Sequence, residues 1–355
     1  MLLTFRLQRN MFPSLQDALP RCVHRIEVVR SNVLKVGSSL KDDLESGHTE
    51  SLANETSVAN KTSIANETSV VSLEQGYSIR DHVENSTFGF EKILALGLPE
   101  RSDRRDALTL MSSYQSVKLE WMDAVKGKDI KQVAWPAHWN TANKTNSMGE
   151  LGCWKSHVNA IKRVIDEGLS SALIIEDDAD WDVDVRSQLY EFAIKTRELG
   201  NASRHSSKQI TDATPTQSPY GDDWDILWIG ACAWPQGPES LSFQGAGGRE
   251  YLVFWARGGM ACTWGYAINS RSAKTLLAWL LDINEAIDFH MGKYCERNNC
   301  VSVWPPLIGS HIPAGPQRKD SDIRSTASED REKGETMFIS NSAILDMQKK
   351  LGRTA

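Results

Sequence analysis

The sequence predicts an α/β fold with a mainly parallel central sheet flanked by helices, on three observations. Short apolar runs at FGFEKILALGLP, SALIIE and WDILWIG have the length and continuity of strands covered on both faces. Segments of helical period separate them. The run in SALIIEDDADWD ends in five acids within seven residues, which places charge at the carboxyl end of a strand, where such sheets bind ligands.

The elements follow in order. The strand beginning at Phe88 runs into a charged turn and a helical pattern over 104–112, and residues 117–125 alternate as a second strand. Residues 126–149 are polar, with tryptophan and proline turns, and read as a loop. Trp154, Val158, Ile161 and Ile165 mark a helix over 151–167, stopped by Gly168 before the 171–176 strand. A further helix is expected over 183–199 and a polar surface insertion over 201–221. Strands follow at 224–230, 251–255 and 260–268, with the glycine-rich segment 237–250 read as flexible. A helix over 271–280 and an outer strand at 301–306 close the domain near residue 316. Residues 319–335 are charged and read as loose, with one modest helical pattern at 343–351.

The acidic strand end carries the chemistry. If strand geometry persists past Asp177, Asp178 and Asp180 point the same way across one alanine and can share a hard divalent cation. Mg²⁺ or Mn²⁺ suits them better than zinc, because the acid run contains no cysteine or histidine. Glu176 is either functional or a capped structural carboxylate, and Asp182 either extends the acid set or starts the next helix. Arg101, Arg104 and Arg105, at the end of the first strand, can pair with a diphosphate.

Residues 1–87 read as a low-complexity region that makes no core. Residues 51–68 repeat a hexapeptide three times, SLANET, SVANKT, SIANET, with an N-x-T sequon in each copy. Six sequons in all, at Asn54, Asn60, Asn66, Asn85, Asn143 and Asn201, exceed the roughly two or three expected from average composition and point to a secretory or Golgi lumen. The N-terminal apolar patch is interrupted by Arg6 and Arg9 and supplies no signal core or membrane span, so either the protein works inside the cell or its true start is missing. Six cysteines leave Cys295 and Cys300 as a local bridge or as two thiols. A net charge of −6 and a pI near 5.8 give no reason to expect a nucleic-acid surface.

Four blocks together resemble glycosyltransferase family 25, the lipopolysaccharide and collagen galactosyltransferase-like proteins. They are LGLPERSDRR, with Asp103, Arg104 and Arg105 matching and glycine at the asparagine position; GELGCWKSH; LIIEDD; and GMACTWGYAINSR, with asparagine at the serine position. YGDDWDILWIG and PPLIGSHIPAG resemble the fungal branch. The resemblance covers residues 88–316 and implies a GT-A-like nucleotide-diphospho-sugar transferase fold. It also implies a UDP-sugar donor, a divalent metal and transfer of a hexose, galactose by analogy, with inversion to a hydroxyl of a glycan or glycoprotein acceptor.

Under that resemblance Asp178 and Asp180 hold the cation, with His311 as a third ligand, and Asp177 orients the ribose or a neighbouring ligand. Arg101, Arg104, Arg105, Gly152, Ser156 and His157 line the donor site, His157 lying one helical turn from Cys153 on the same face. Asp288 is the expected base, with Asp282 and Glu285 as alternatives. A non-catalytic sugar-nucleotide binder and a metal-dependent nucleotidyltransferase or phosphodiesterase are the competing readings.

Overall fold

The computed structural model describes residues 78–139, 146–203, 218–232, 235, 239–318, 321–323 and 329–352. The hexapeptide repeat and most of the polar 201–221 insertion lie outside them. A short helix, α1 (Ile79–Val83), precedes β1 (Lys92–Gly97), α2 (Ser102–Tyr114) and β2 (Glu120–Asp123). Next come α3 (Met148–Asp166), β3 (Ser171–Glu176), β4 (Ala179–Trp181), α4 (Val185–Ser203) and β5 (Ile226–Gly230). Then follow β6 (Ser240–Gln244), β7 (Glu250–Trp255), β8 (Gly265–Asn269), α5 (Ser270–Leu280) and α6 (Ile287–Cys295). The chain continues through β9 (Cys300–Trp304), β10 (Ile308–Ile312), β11 (Gly315–Arg318), β12 (Glu329–Arg331), β13 (Glu335–Thr336) and α7 (Ala343–Lys350).

Eight strands form one sheet in the order β2-β1-β3-β8-β5-β9-β7-β6. β1, β2 and β3 pair in parallel, as do β5 and β9, but β8 lies antiparallel between β3 and β5, and β6 and β7 pair antiparallel at the far edge. The architecture is α/β with a mixed sheet flanked by helices, consistent with a GT-A-like nucleotide-sugar transferase fold. Six of the eight strands share one direction, in line with the expected mainly parallel sheet, and β7 and β8 run against them. β6 corrects the flexible reading of 237–250. There β7 provides a ladder, and Phe243 stacks on Tyr251 with ring centroids 4.9 Å apart.

Local chemistry explains the helix ends. Ser147 and Glu150 close a reciprocal cap at the start of α3, and Gly168, at φ +66°, ends its C-terminal turn. Asn269 caps α5 by accepting from the Ser272 N–H, which is what a serine at that place would do. The apolar face of α3 (Leu151, Trp154, Val158, Ile161) packs with Leu276 and Leu280 of α5 and Met291 of α6 against Leu94, Ile174, Trp228 and Tyr266 of the sheet. Each such fully buried side chain contributes about 1.5–3 kcal/mol. Ile93, Leu173 and Ile175 are buried as well, so both faces of β1 and β3 are covered, as their unbroken apolar runs require.

A three-stranded sheet, β13-β10-β4, stands at the carboxyl end of β3. β4 pairs with β10, and β10 pairs with β13 at His311–Thr336. The C-terminal segment is thereby drawn into the fold, with α7 packed on α2 and β4. Two disulfides, Cys232–Cys262 and Cys295–Cys300, fasten the β5–β8 and α6–β9 connections.

β5 and β8 approach closely where both are glycine. A Cβ on Gly230 would stand 2.5 Å from the Gly265 nitrogen and 3.1 Å from the Ile308 carbonyl, both backbone atoms that cannot swing aside. Gly230→Ala is therefore expected to cost about 1–3 kcal/mol, read as a lower urea midpoint at unchanged m-value. Wild-type stability in that variant would show that β8 shifts without penalty.

Candidate active site

β3 carries three carboxylates to a buried end, and each meets a different partner. Leu96 of β1 is in register with Glu176, so α2, which follows β1, starts beside the turn at Asp177 and Asp178. Arg104, in the first turns of α2, donates to Asp177 Oδ1 at 2.8 Å and stands 3.4 Å from Asp178 Oδ2. Gly97 makes room: a Cβ there would lie 2.9 Å from the Trp121 ring and 3.0 Å from Asp177 Cβ.

Asp178 also accepts from Ser310 Oγ at 3.1 Å, and its carbonyl accepts from the His311 N–H. Its other carboxylate oxygen, Oδ1, is buried without a hydrogen-bond partner. Burial pushes the Asp178 carboxyl up to about 7, against the pull of Arg104, and the neighbouring Glu176 and Asp177 charges push the same way. Burial likewise raises Asp177, with Arg104 opposing it. An orphaned, desolvated carboxylate oxygen is a fitting ligand for a hard divalent cation.

Asp180 does not join it as a second open ligand. The strand stops at Glu176, Asp177 and Asp178 form a turn, and the alternation that would align Asp178 with Asp180 is broken. All four lone-pair positions of the Asp180 carboxylate are filled. Oδ1 accepts from the Trp181 and Ile344 N–H groups, and Oδ2 from Thr336 Oγ1 at 2.6 Å and from Ser342 Oγ. Asp182 accepts from the Asp184 and Asn341 N–H groups, so it holds the entry to α4 and the C-terminal segment.

His311 is buried, its Nδ1 3.0 Å from Thr336 Oγ1. Because Thr336 gives its one hydroxyl proton to Asp180, it accepts from His311, and the Nε2 lone pair stays available. Burial, then Arg104, lowers His311 to about 4, so its ring is neutral. Asp178, Asp180 and His311 are not a converging set.

Among the described residues, the set of histidine, cysteine and acidic side chains whose ligand atoms do converge, all within 4.8 Å of one another, is Cys153, His157 and Glu176. The lack of cysteine or histidine in the acid run, which argued against a softer metal, does not hold in space. His157 Nε2 lies 3.6 Å from Glu176 Oε1, and its Nδ1 lies 3.0 Å from the buried Tyr266 hydroxyl. Thr263 Oγ1 donates to the same Glu176 oxygen. Burial works to raise Glu176, yet His157 and Thr263 together hold it below the usual carboxylate range.

The remaining residues take other places. Arg101 pairs with Asp103 and Asp322, and Arg105 donates to Asp123 while lying over the Trp121 ring. A Cβ on Gly152 would stand 2.4 Å from the Val125 carbonyl, and Ser156 Oγ accepts from the Val125 N–H. Both residues fasten α3 to the loop after β2. Asp288, in the first turn of α6, is buried and accepts from the Cys262 N–H at 3.0 Å. Asp282 is exposed and pairs with His138, while Glu285 is engaged by His290 and Lys293. Sequence reasoning passed over Thr263, Ser310, Thr336 and Ser342. Hydroxyl residues reaching across 87 to 162 positions leave no periodic signal. Only Cys153 with His157 carried one, at helical i, i+4 spacing.

The chain is 31% identical over 152 residues to procollagen galactosyltransferase 2 of Mus musculus, a match covering 40% of this chain and 21% of that protein. It is 28% identical over 160 residues to procollagen galactosyltransferase 1 of Danio rerio, covering 41% and 22%. The match to a probable inactive glycosyltransferase 25 family member 3 of Bos taurus is 24% over 234 residues, covering 62% and 35%. These matches span only about a fifth to a third of the relatives' own length. The profile of Glycosyltransferase family 25 (LPS biosynthesis protein) matches residues 90–291, more than half of the sequence, and the chain belongs to that family.

Proposed function

We propose that the protein transfers a hexose, galactose by analogy with its relatives, from a UDP-sugar to a hydroxyl of a glycan or glycoprotein, with inversion. The observation that carries this reading is the unpartnered Asp178 oxygen beside Arg104, at the carboxyl edge of the sheet in a family 25 chain. Mn²⁺ or Mg²⁺ held there by Asp178 would neutralise the leaving diphosphate as the glycosidic bond breaks. Asp178 is the ligand, Ser310 fixes its second oxygen, Arg104 keeps Asp177 and Asp178 together, and neutral His311 lies on the neighbouring strand.

Asp288 is our choice for the base that takes the acceptor proton. It holds the 261–264 loop, whose Thr263 reaches Glu176, whereas Asp282 and Glu285 are committed to His138 and to His290 with Lys293. The disulfides and the sequon cluster favour an oxidising, glycosylating lumen. Endoglycosidase treatment of protein from its native host should increase its gel mobility. The fungal affinity rests on Tyr220–Gly230 and Pro305–Gly315 alone.

The inactive relative favours a second reading, in which the domain binds sugar nucleotide without turnover. A panel of UDP-sugars assayed for Mn²⁺-dependent UDP release separates the two. Release with at least one donor supports transfer, and binding without release supports the second reading.

Asp178→Asn should abolish the metal-dependent release, by roughly 100-fold or more, without loss of thermal stability. Its amide oxygen still accepts from Ser310, and it removes a charge that burial disfavours at neutral pH. Retained turnover, or a collapse of the melting temperature, would refute the ligand role.

Asp288→Asn and Asp288→Ala separate a base from a brace. Asparagine keeps an acceptor for the buried Cys262 N–H and gives up only the bond from the adjacent Phe289 N–H, so its unfolding midpoint should fall less than that of alanine while transfer falls by about 100-fold or more. Alanine leaves that buried N–H unpaired and should also cost about 1–3 kcal/mol. Near-normal transfer in the asparagine variant moves the base elsewhere.

A further inference from the structure

We propose that Cys153, His157 and Glu176 form a binding site for a transition-metal ion of the zinc class, separate from the hard-cation position at Asp178. The inference does not depend on the transferase reading, because it concerns what the three side chains bind.

The geometry comes from two elements. α3 puts Cys153 and His157 one turn apart on a single face, and β3 delivers Glu176 as its last residue. The His157 Nε2–Glu176 Oε1 separation of 3.6 Å is too long for a hydrogen bond. It is close to the roughly 3.3–3.5 Å that separates two ligand atoms each about 2.0–2.1 Å from a tetrahedral zinc. Cys153 Sγ lies within 4.8 Å of both and supplies the third ligand atom.

The surroundings suit such an ion. Tyr266 is buried, its hydroxyl 3.0 Å from His157 Nδ1. Its oxygen can accept from His157 Nδ1–H, which would free Nε2 to bind an ion beside Glu176, and Thr263 holds the same Glu176 oxygen, Oε1. A histidine held by a hydrogen bond at its other nitrogen is the usual support of a metal ligand. One thiolate and one carboxylate balance the charge of a divalent ion, and the fourth position is left for water.

Ligand softness then sorts two metals within one sheet edge. Thiolate and imidazole select zinc, while Asp178 with a diphosphate selects Mg²⁺ or Mn²⁺. An ion at Cys153 would tie α3 to the last residue of β3, immediately before the Asp177–Asp178 turn.

The test uses the full chain, purified without chelator from zinc-supplemented culture. Elemental analysis should find about one zinc per chain. Co²⁺ added to the stripped protein should produce a near-ultraviolet thiolate-to-cobalt absorption band. Cys153→Ser should lose that band and weaken zinc binding by at least about tenfold, as should Glu176→Gln for the affinity, each checked for folding by circular dichroism. Asp178→Asn should keep both zinc and band, which distinguishes this site from the donor cation. Folded wild-type protein with neither zinc nor a thiolate band would overturn the proposal, and so would zinc content unchanged in both Cys153→Ser and Glu176→Gln.

Discussion

The need to keep three consecutive carboxylates at the buried end of one strand governs the architecture around it. Glu176, Asp177 and Asp178 follow the apolar core of β3 without an intervening residue, and a buried carboxylate persists only when paired or hydrogen-bonded. No single element could serve all three, since successive residues point to different sides. α2 therefore brings Arg104, α3 brings His157, the loop before β8 brings Thr263, and β10 brings Ser310. Among these three carboxylates, Asp178 Oδ1 is the oxygen that is buried without a hydrogen-bond partner. That oxygen lies in a cluster to which four elements bring partners.

Asp180 shows how a carboxylate in the same run can have the opposite function. With both oxygens saturated by two hydroxyls and two backbone N–H groups, it anchors the C-terminal segment to β4. That anchoring carries Thr336 to His311 and holds β13 against β10, whose other partner is the strand leading away from the acidic turn. The C-terminal residues lie beyond the 90–291 family match, yet they shape the neighbourhood of Asp178 through this carboxylate.

What was legible in the sequence was whatever a local pattern encodes. The continuous LII run, the period of Trp154, Val158 and Ile161, and Gly168 as a stop each report on neighbours a few residues away, and β3 and α3 lie where those signals put them. β8 begins five residues late because 260–264 resemble a strand in composition but are held as a loop by long-range bonds. Short α6 and β10 were missed for the same reason: nine and five residues give too few periods to stand out. The alternation argument for Asp178 and Asp180 failed because it assumed a strand where the chain turns. Asp177 and Asp178 turn so that both can face Arg104, a partner 73 and 74 residues away that no local rule anticipates.

The 261–264 loop shows the same logic carried into backbone strain. Cys262 adopts φ +65°, a region that costs a non-glycine residue of order 1–3 kcal/mol and persists only when its surroundings over-determine it. Here they do: Asp288 takes its N–H, the Trp228 indole donates to its carbonyl, and Cys232 holds its sulfur. The product of that restraint is the next residue, Thr263, aimed at Glu176, with the Trp264 carbonyl accepting from the Glu176 N–H. The loop's rigidity is matched to the carboxylate it meets. His157 and Thr263 both meet Glu176 at Oε1, so the position of that one oxygen depends on the loop and on α3 together.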